Sequence, residues 1–428
     1  MELILKNGRV VDPLRKIDEV LDIHIANGSI QNIKKKISLK KGRILDLKGK
    51  VVAPGFIDMH VHLREPGQEY KETIESGTKA AAYGGFTSIC SMPNTKPAVD
   101  NGKLVKYIIS EAKKYNFVNV FPFGCITKNR EGKELAEIGE LFESGAVAIS
   151  DDGDEVMDSF LMRQALEYAK MFNLLMVTHS EDAYLSDKGV MNEGYTATVL
   201  GLKGIPACAE EIMVARDIML GELTGCRLHI AHVSTKGSVE LIKNAKKRGV
   251  KLTCEVTPHH LILSDEELIT FDTNFKVNPP LRSKEDIKAL RNALAEGVID
   301  VIATDHAPHA EHEKKVSLED APFGMVGLET AVPLILTELF HKKILSIGQI
   351  IAAFSQNPAQ ILRLENKGSI QEGFDADFTI LDLERECLIE VEKLISKSKN
   401  SPFNNFKTKG RVLMTIVGGK EVFVAKAK

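Results

Sequence analysis

The stretch Pro54-Gly55-Phe56-Ile57-Asp58-Met59-His60-Val61-His62-Leu63-Arg64 begins with a turn pair and continues as a short apolar run that ends in two histidines. A run of this length next to Pro and Gly is typical of a buried β-strand. On a strand, residues two positions apart point to the same side, so His60 and His62 can bind one ion. The stretch therefore predicts a buried strand with metal-competent side chains at its C-terminal end.

Seven further apolar runs follow, and helix-like segments separate them. The eight runs cover residues 56–62, 87–94, 119–126, 146–152, 174–179, 227–233, 251–260 and 300–307. The segments that suit connecting helices include 71–83, 162–172, 238–248 and 284–296. Alternating β and α elements favour a parallel sheet, and eight units predict an α/β fold of the TIM-like (β/α)8 barrel type. An open doubly wound sheet is the alternative, but no G-x-G-x-x-G motif follows the first run.

Both ends of the chain are rich in short strand-like pieces, unlike the middle. Asn7-Gly8, Asn27-Gly28 and Lys48-Gly49 are typical turn pairs, and Gly418-Gly419 separates two apolar runs that predict a hairpin. We therefore expect the two ends to pair into one small β domain. The predicted domains are residues 1–52 and 367–428 for that β domain and 53–366 for the metal-dependent barrel.

Composition excludes several classes of protein. The chain has 428 residues, a hydrophobic fraction of 43% and a formal net charge of -3, which allows a large core and gives no sign of a nucleic-acid partner. No apolar stretch is long enough to span a bilayer, and the N-terminus does not resemble a signal peptide. The six cysteines are scattered without a C-x-x-C pair, which favours buried free thiols. We expect a cytoplasmic protein that binds neither membranes nor nucleic acid.

Metal-competent side chains recur at the ends of the predicted strands. His62 ends the first run and His60 lies two residues before it, and Asp152, His179, His232 and Asp305 lie at or within two residues of the ends of four others. In a barrel these ends meet at one face, where active sites lie. Each of these residues alone could have an ordinary structural role. Their recurrence at the ends of five different predicted strands is not expected by chance. Six nitrogen and oxygen ligands exceed the needs of one tetrahedral ion, so they suit a two-metal site bridged by a carboxylate.

The residues around these ligands resemble a known family. Residues 54–67 and the segment Ala303-Thr304-Asp305-His306-Ala307-Pro308-His309 are similar to the two signatures of the dihydroorotases, within the amidohydrolase superfamily. The resemblance also includes Met92-Pro93-Asn94-Thr95, Val277-Asn278-Pro279-Pro280 and the Ala376-Asp377 turn, and so extends over essentially the whole chain. Hydantoinases, dihydropyrimidinases and allantoinases are the nearest alternatives, and they typically carry a carboxylated lysine at the end of strand four. Here Asp151-Asp152-Gly153 stands at that place, as in a bacterial dihydroorotase type that uses an aspartate.

The resemblance implies an activity and a role for each site residue. The activity is the reversible, zinc-dependent hydrolysis of (S)-dihydroorotate to N-carbamoyl-L-aspartate in de novo pyrimidine (UMP) biosynthesis. His60, His62 and Asp305 would bind one Zn²⁺, His179 and His232 a second, and Asp152 would bridge them; a single ion is the alternative. Asp305 would also be the catalytic proton carrier. The residues implied in substrate binding are Arg64, Asn94 and His309 for the carboxylate, Asn278, Phe323 and Gly324 for the ring, and also His62.

Partners other than the small-molecule substrate stay open at the level of sequence. Some members of the family are inactive and act as scaffolds for aspartate transcarbamoylase. All six metal ligands and Arg64 are present here, which disfavours a purely scaffolding role. A homo-oligomer and a complex with aspartate transcarbamoylase both remain compatible with the sequence.

Overall fold

The computed structural model describes residues 2–38 and 42–426. The strands are, in chain order, β1 Glu2–Asp12, β2 Ile17–Ala26, β3 Ser29–Lys34, β4 Arg43–Asp46, β5 Val51–Pro54, β6 Phe56–Val61, β7 Phe86–Ser91, β8 Asn119–Gly124, β9 Ala148–Ile149, β10 Leu175–Thr178, β11 Met191–Asn192, β12 Gly204–Ile205, β13 Arg227–Ile230, β14 Leu252–Val256, β15 Val301–Ile302, β16 Phe378–Leu388, β17 Lys407–Val417 and β18 Lys420–Val424.

The α-helices are α1 Ile74–Gly84, α2 Gly102–Tyr115, α3 Ile138–Glu143, α4 Ser159–Met171, α5 Ala183–Ser186, α6 Tyr195–Leu200, α7 Ala207–Thr224, α8 Lys236–Lys247, α9 Pro258–Ile262, α10 Lys284–Ala295, α11 Glu311–Lys314, α12 Ala331–Ile335, α13 Ile347–Ile351 and α14 Asn357–Leu362. Short 3-10 turns cover Lys128–Arg130, Asp265–Thr270, Thr273–Phe275 and Val391–Lys393, and π-helical turns cover Leu336–Phe340 and Ala352–Gln356. None of the described helices is long and apolar enough to cross a membrane.

Eight parallel strands form a nearly closed barrel. Their order is β15-β14-β13-β10-β9-β8-β7-β6, and each corresponds to one of the eight predicted runs. The first barrel strand, β6, meets the segment after the last, β15, through a parallel bridge between Val61 and His306. In addition, His62 N donates to His306 O at 2.9 Å. The predicted TIM-like barrel is confirmed, and the open doubly wound alternative is wrong.

The connecting helices begin and end where local sequence signals place them. Thr73 caps α1 through a capping box with Ser76, and Gly85 ends that helix with a φ of 95°. Ser283 and Asp286 form the same box at the start of α10. The helices pack outside the barrel, and a buried apolar cluster fills the barrel interior, including Ile57, Met59, Cys90, Phe123, Leu175 and Val301. The strand ends are thereby held in fixed positions around one mouth.

A second sheet joins the two ends of the chain, as predicted. Its order is β18-β17-β16-β5-β1-β2-β3, with β4 paired to β1. The link between the ends is the antiparallel pairing of β16 with β5, for example Thr379 opposite Ala53. The exact domain boundaries stay a prediction.

One predicted turn is wrong. Asn7-Gly8 lies inside the continuous strand β1 rather than between two strands. The register of β1 against β2 shifts between Leu5 and Gly8, and Asn7 has a φ of 59°. A β-bulge uses the same left-handed conformation that a tight turn needs, so the local sequence signal is shared by both.

A long connection leaves the small sheet and returns to it. Between β16 and β17, residues 389–406 extend to the barrel and pack beside the loop that follows β15. Asn400 of this connection bonds to the backbone of Ala307, His309 and Gly324. The small domain is therefore in direct contact with the rim of the barrel mouth.

Candidate active site

A cavity of about 200 Å³ opens at the C-terminal ends of the barrel strands. All predicted site residues line it except His60, which lies fully buried next to it. The lining residues are His62, Arg64, Asn94, Asp152, Gly153, His179, His232, Asn278, Asp305, Ala307, His309, Phe323 and Gly324. The structure thus brings together residues that are up to about 260 positions apart in the sequence, as the barrel topology requires.

The backbone is strained at two of the predicted metal ligands. His232 follows β13 with a φ of 30°, and Asp305 follows β15 with a φ of 47°. Non-glycine residues adopt such values at a cost of about 1–3 kcal/mol, and these conformations cluster at active sites. Here the turn of the chain directs both side chains inward at the point where each strand ends.

The predicted ligands form two adjoining groups. His60, His62 and Asp305 have ligand atoms within 4.8 Å of one another, and so do His60, Asp152 and His232. The two groups share His60, and Asp152 of the second group also approaches the first, because its Oδ1 is 3.3 Å from His60 Nε2 and its Oδ2 is 3.5 Å from His62 Nε2. His179 belongs to neither group, although its Nδ1 is 3.7 Å from Asp152 Oδ1. The described residues thus offer two candidate cation groups that have His60 in common, with Asp152 close to both, while the bridging role of Asp152 stays a prediction.

Hydrogen bonds fix the tautomers of the first two histidines. Nδ1 of His60 donates to Glu255 Oε1 at 2.7 Å, and Nδ1 of His62 donates to Asn94 Oδ1 at 2.8 Å. With Nδ1 as the donor, each Nε2 faces the aspartates, and in a neutral imidazole this nitrogen carries the lone pair that a metal would bind. This is the usual state of an imidazole that binds a metal, with the other nitrogen held by a carboxylate or an amide oxygen.

Unpartnered polar atoms support the same interpretation. Among the described residues, the buried atoms His60 Nε2, Asp152 Oδ1 and His232 Nδ1 have no hydrogen-bond partner. Buried polar atoms without partners are rare and call for an explanation such as a bound ion. Although burial opposes charge, the neighbouring imidazoles hold the pKa values of Asp152 and Asp305 well below the usual range, so both stay ionised. The donor set fits a divalent metal such as Zn²⁺.

Glu255 on β14 is a buried residue of the site that sequence reasoning missed. Its carboxylate accepts from His60 Nδ1 and also lies 3.2 Å from His229 Nε2. Burial would raise its pKa, but His60 and His229 lower the pKa of Glu255 to about 2. In the sequence, Glu255 is a single acid inside the apolar run 251–260, away from the end of the run where the other candidate ligands lie.

Arg64 lines the same cavity as a buried cation. It is 8% exposed, and no described carboxylate lies at ion-pair distance, although Asp305, Asp152 and Glu313 favour its charge from further away. Its Nε donates to Pro308 O at 3.2 Å, and its terminal nitrogen is 3.4 Å from His309 Nε2. Burial lowers the pKa of Arg64 to about 10, which still leaves it charged at neutral pH. Strand β6 ends at Val61 and Arg64 has a φ of 62°, so a turn rather than a continued strand brings it to the cavity.

Residues from two loops complete the rim. The side chain of Asn278 is 3.4 Å from His179, and its Oδ1 is buried without a described partner. His309 Nε2 donates to Phe323 O at 2.8 Å, which links the end of strand eight to the loop that returns from it. The substrate roles of these residues stay predictions, but the structure does place them around one cavity.

Comparison with known proteins agrees with this arrangement. Residues 49–238 match the family model described as Dihydro-orotase-like, and residues 223–423 match the Amidohydrolase family model. A dihydroorotase from Acetivibrio thermocellus is 54% identical over 420 residues, which cover 98% of each chain. The chain belongs to the dihydroorotase family. Dihydroorotases from Pelotomaculum thermopropionicum and Geobacter metallireducens are 53% and 51% identical, over 99% of this chain and 98% and 100% of theirs.

Solved structures of other cyclic amidohydrolases share the fold of this dihydroorotase family member. An L-hydantoinase (dihydropyrimidinase) from Arthrobacter aurescens is 27% identical, with a TM-score of 0.89 over 98% of this chain and 95% of that chain. A D-hydantoinase from Thermus sp. is 26% identical, with a TM-score of 0.84 over 100% and 97%. Because one fold hosts several substrates, the choice of substrate has to be argued from the residues of the site.

Proposed function

We propose that this chain catalyses the reversible hydrolysis of (S)-dihydroorotate to N-carbamoyl-L-aspartate, the dihydroorotase step of pyrimidine biosynthesis. The observation that carries the proposal is Arg64, a buried cation with no described carboxylate at ion-pair distance, in the cavity that the metal ligands line. Asp305, Asp152 and Glu313 favour its charge only from a longer distance, and an anionic substrate would supply a direct partner. Dihydroorotate bears a free carboxylate, whereas dihydrouracil, hydantoin and allantoin have none.

The metal ligands account for the hydrolytic chemistry. A bound divalent ion activates water and polarises a carbonyl oxygen. His60, His62, Asp152, His179, His232 and Asp305 would hold it, with Asp152 as the shared ligand. Nitrogen and oxygen donors in this ratio suit Zn²⁺, and we propose two ions, with a single ion as the alternative.

Asp305 is the proton carrier in this proposal. Its Oδ1 is 3.0 Å from His62 Nε2, and the residue lines the cavity. It would accept a proton from the attacking water and deliver it to the ring nitrogen that leaves when the amide bond breaks. In the biosynthetic direction the same group takes the proton from the carbamoyl nitrogen as that nitrogen closes onto the side-chain carboxyl, and water leaves.

The other side of the cavity orients the substrate. The planar guanidinium of Arg64 can make two parallel charge-assisted hydrogen bonds to the carboxylate. Asn94 and His309, which line the same cavity, would also hold the carboxylate, while Asn278 and the backbone of Phe323 and Gly324 would contact the ring. A cytoplasmic location, a homo-oligomer and a complex with aspartate transcarbamoylase stay predictions.

One experiment tests this function against its relatives. Purified protein is assayed by ultraviolet absorbance on dihydroorotate, hydantoin, dihydrouracil and allantoin in parallel. The proposal expects turnover of dihydroorotate and at most weak turnover of the three substrates that lack the carboxylate. Equal or faster hydrolysis of hydantoin or dihydrouracil would contradict it and leave only the broader amidohydrolase activity.

A further inference from the structure

The connection between β16 and β17 places one amide side chain behind the substrate cavity. Asn400 is 4% exposed and makes three hydrogen bonds through its side chain. Its Oδ1 accepts from His309 N at 3.0 Å, and its Nδ2 donates to Ala307 O at 3.0 Å and to Gly324 O at 3.1 Å. A single carboxamide therefore joins the segment that leaves strand eight to the loop that returns from it.

The backbone of the same residue continues this link. Val326 N donates to Asn400 O at 2.9 Å, just after the returning loop. Both joined segments line the cavity, through His309 on one side and Phe323 and Gly324 on the other. The distance between these two segments fixes the position of the His309 imidazole relative to Arg64, because His309 Nε2 bonds to Phe323 O.

Two carboxylates, the buried Glu72 and the half-buried Glu329, hold the connection in place. Glu329 accepts from Ile395 N at 2.8 Å and from Ser396 N at 3.0 Å. Glu72 accepts from Lys397 N at 3.1 Å and from the Ser396 hydroxyl. Asn400 is thus presented from a segment that is itself bonded to the barrel, which is what a fixed support for a binding pocket needs.

We propose that Asn400 is a positioning residue for the substrate-carboxylate pocket. It sets the spacing between His309 and the Phe323-Gly324 backbone without touching the substrate. The proposal rests on the proposed function, because the effect is measured on dihydroorotate. It assigns to the small β domain a part in substrate recognition, through a residue that is 76 to 93 positions from its bonding partners in the loop.

The test compares two substitutions that alter the amide differently. Asn400→Asp keeps the acceptor for His309 N but sets a carboxylate oxygen against the carbonyl oxygens of Ala307 and Gly324. Asn400→Ala removes all three side-chain bonds without repulsion. Since a displacement of about 1 Å can cost roughly 100-fold, we expect KM for dihydroorotate to rise roughly 10- to 100-fold, with the larger effect for Asn400→Asp. The zinc content, and to a first approximation kcat, should stay unchanged.

Asn404→Ala is the matched control. Asn404 lies in the same connection, is exposed, and its Oδ1 accepts only from Val391 N at 3.1 Å among the bonds that the structure describes. This variant should keep the wild-type KM. The melting temperature of each variant is also measured, so that KM values are compared only among proteins that are folded at the assay temperature.

Several outcomes would overturn the proposal. A normal KM in both Asn400 variants, or an equal change in Asn404→Ala, would show that the amide does not position the pocket. Variants that lose zinc or melt below the assay temperature would show that Asn400 supports the fold as a whole. Failure of the wild type to act on dihydroorotate would instead contradict the proposed function, and the two failures are therefore distinct.

Discussion

His62 Nε2 lies 3.0 Å from Asp305 Oδ1, across the seam where the first and last strands of the barrel meet. The contact joins a predicted metal ligand to the only carboxylate to which we assign both metal binding and proton transfer. The sequence separates the two residues by 243 positions, and the closure of the barrel brings them together.

Replacing that carboxylate tests its second role. Asp305→Asn should lower kcat for dihydroorotate by about 10²–10⁴-fold, the range for lost general acid–base catalysis, and by more if metal binding also weakens. The change is nearly isosteric and lies at a loop-facing strand end, so the fold should persist. Steady-state kinetics together with zinc analysis measure both effects. A near-normal kcat would mean that another group carries the proton.

Arg64 should determine the preference for an anionic substrate. Removing one member of a hydrogen-bonded charge pair costs about 2–5 kcal/mol, so Arg64→Met should lower kcat/KM for dihydroorotate roughly 30-fold to several thousandfold. Zinc content should not change, because Arg64 is not a ligand. The weak activity on dihydrouracil should fall little. An equal loss on both substrates would show that Arg64 does not recognise the carboxylate.

Glu255 should control the affinity of the metal centre through His60. Substitution of such outer partners typically costs about 10–100-fold in metal affinity, so Glu255→Gln should raise the Kd for Zn²⁺ by that factor. Competition with a chelator of known affinity measures the Kd for Zn²⁺. Glu210→Gln is a control, since this buried carboxylate bonds to Ser234 N at 3.0 Å and not to a ligand. Unchanged zinc affinity in Glu255→Gln would refute the prediction.

Lys314 should hold the loop that carries Phe323. Its ammonium donates to Pro322 O at 2.7 Å and to Thr273 O at 3.0 Å, and burial next to Lys276 lowers the pKa of Lys314 to about 7. Lys314→Met leaves these carbonyls without their donor, at a cost of about 1–3 kcal/mol for each buried group. We expect a raised KM for dihydroorotate and a lower melting temperature.

The neighbouring lysine provides the control for that substitution. Lys315 is exposed and pairs with Glu311 on the surface, a type of contact worth about 0–1 kcal/mol. Lys315→Met should therefore resemble the wild type in both measurements. If the two variants behave alike, the carbonyl contacts of Lys314 do not hold the loop.

The sequence was most informative where local patterns repeat. The alternation of eight apolar runs with helix-like segments was enough to predict the barrel. The histidines and acids near the ends of these runs predicted the metal-competent residues at its mouth, whereas the other residues there were implied by the family resemblance. Glu255 was missed because one acid inside an apolar run carries no periodic signal. Asn400 was missed because its partners Ala307 and Gly324 are close only after the small domain has packed on the barrel. Asn7-Gly8 was misassigned since a bulge and a turn need the same backbone conformation.

The most direct test of the central claim is a zinc titration of the metal-free protein with dihydroorotate hydrolysis as the readout. Chelator-treated protein should be inactive, and activity should rise with added Zn²⁺ to a plateau. A plateau near two equivalents of Zn²⁺ would indicate a pair of ions bridged by Asp152. A plateau near a single equivalent would indicate the one-ion alternative. Full activity in a preparation that elemental analysis shows to be free of metal would contradict the account.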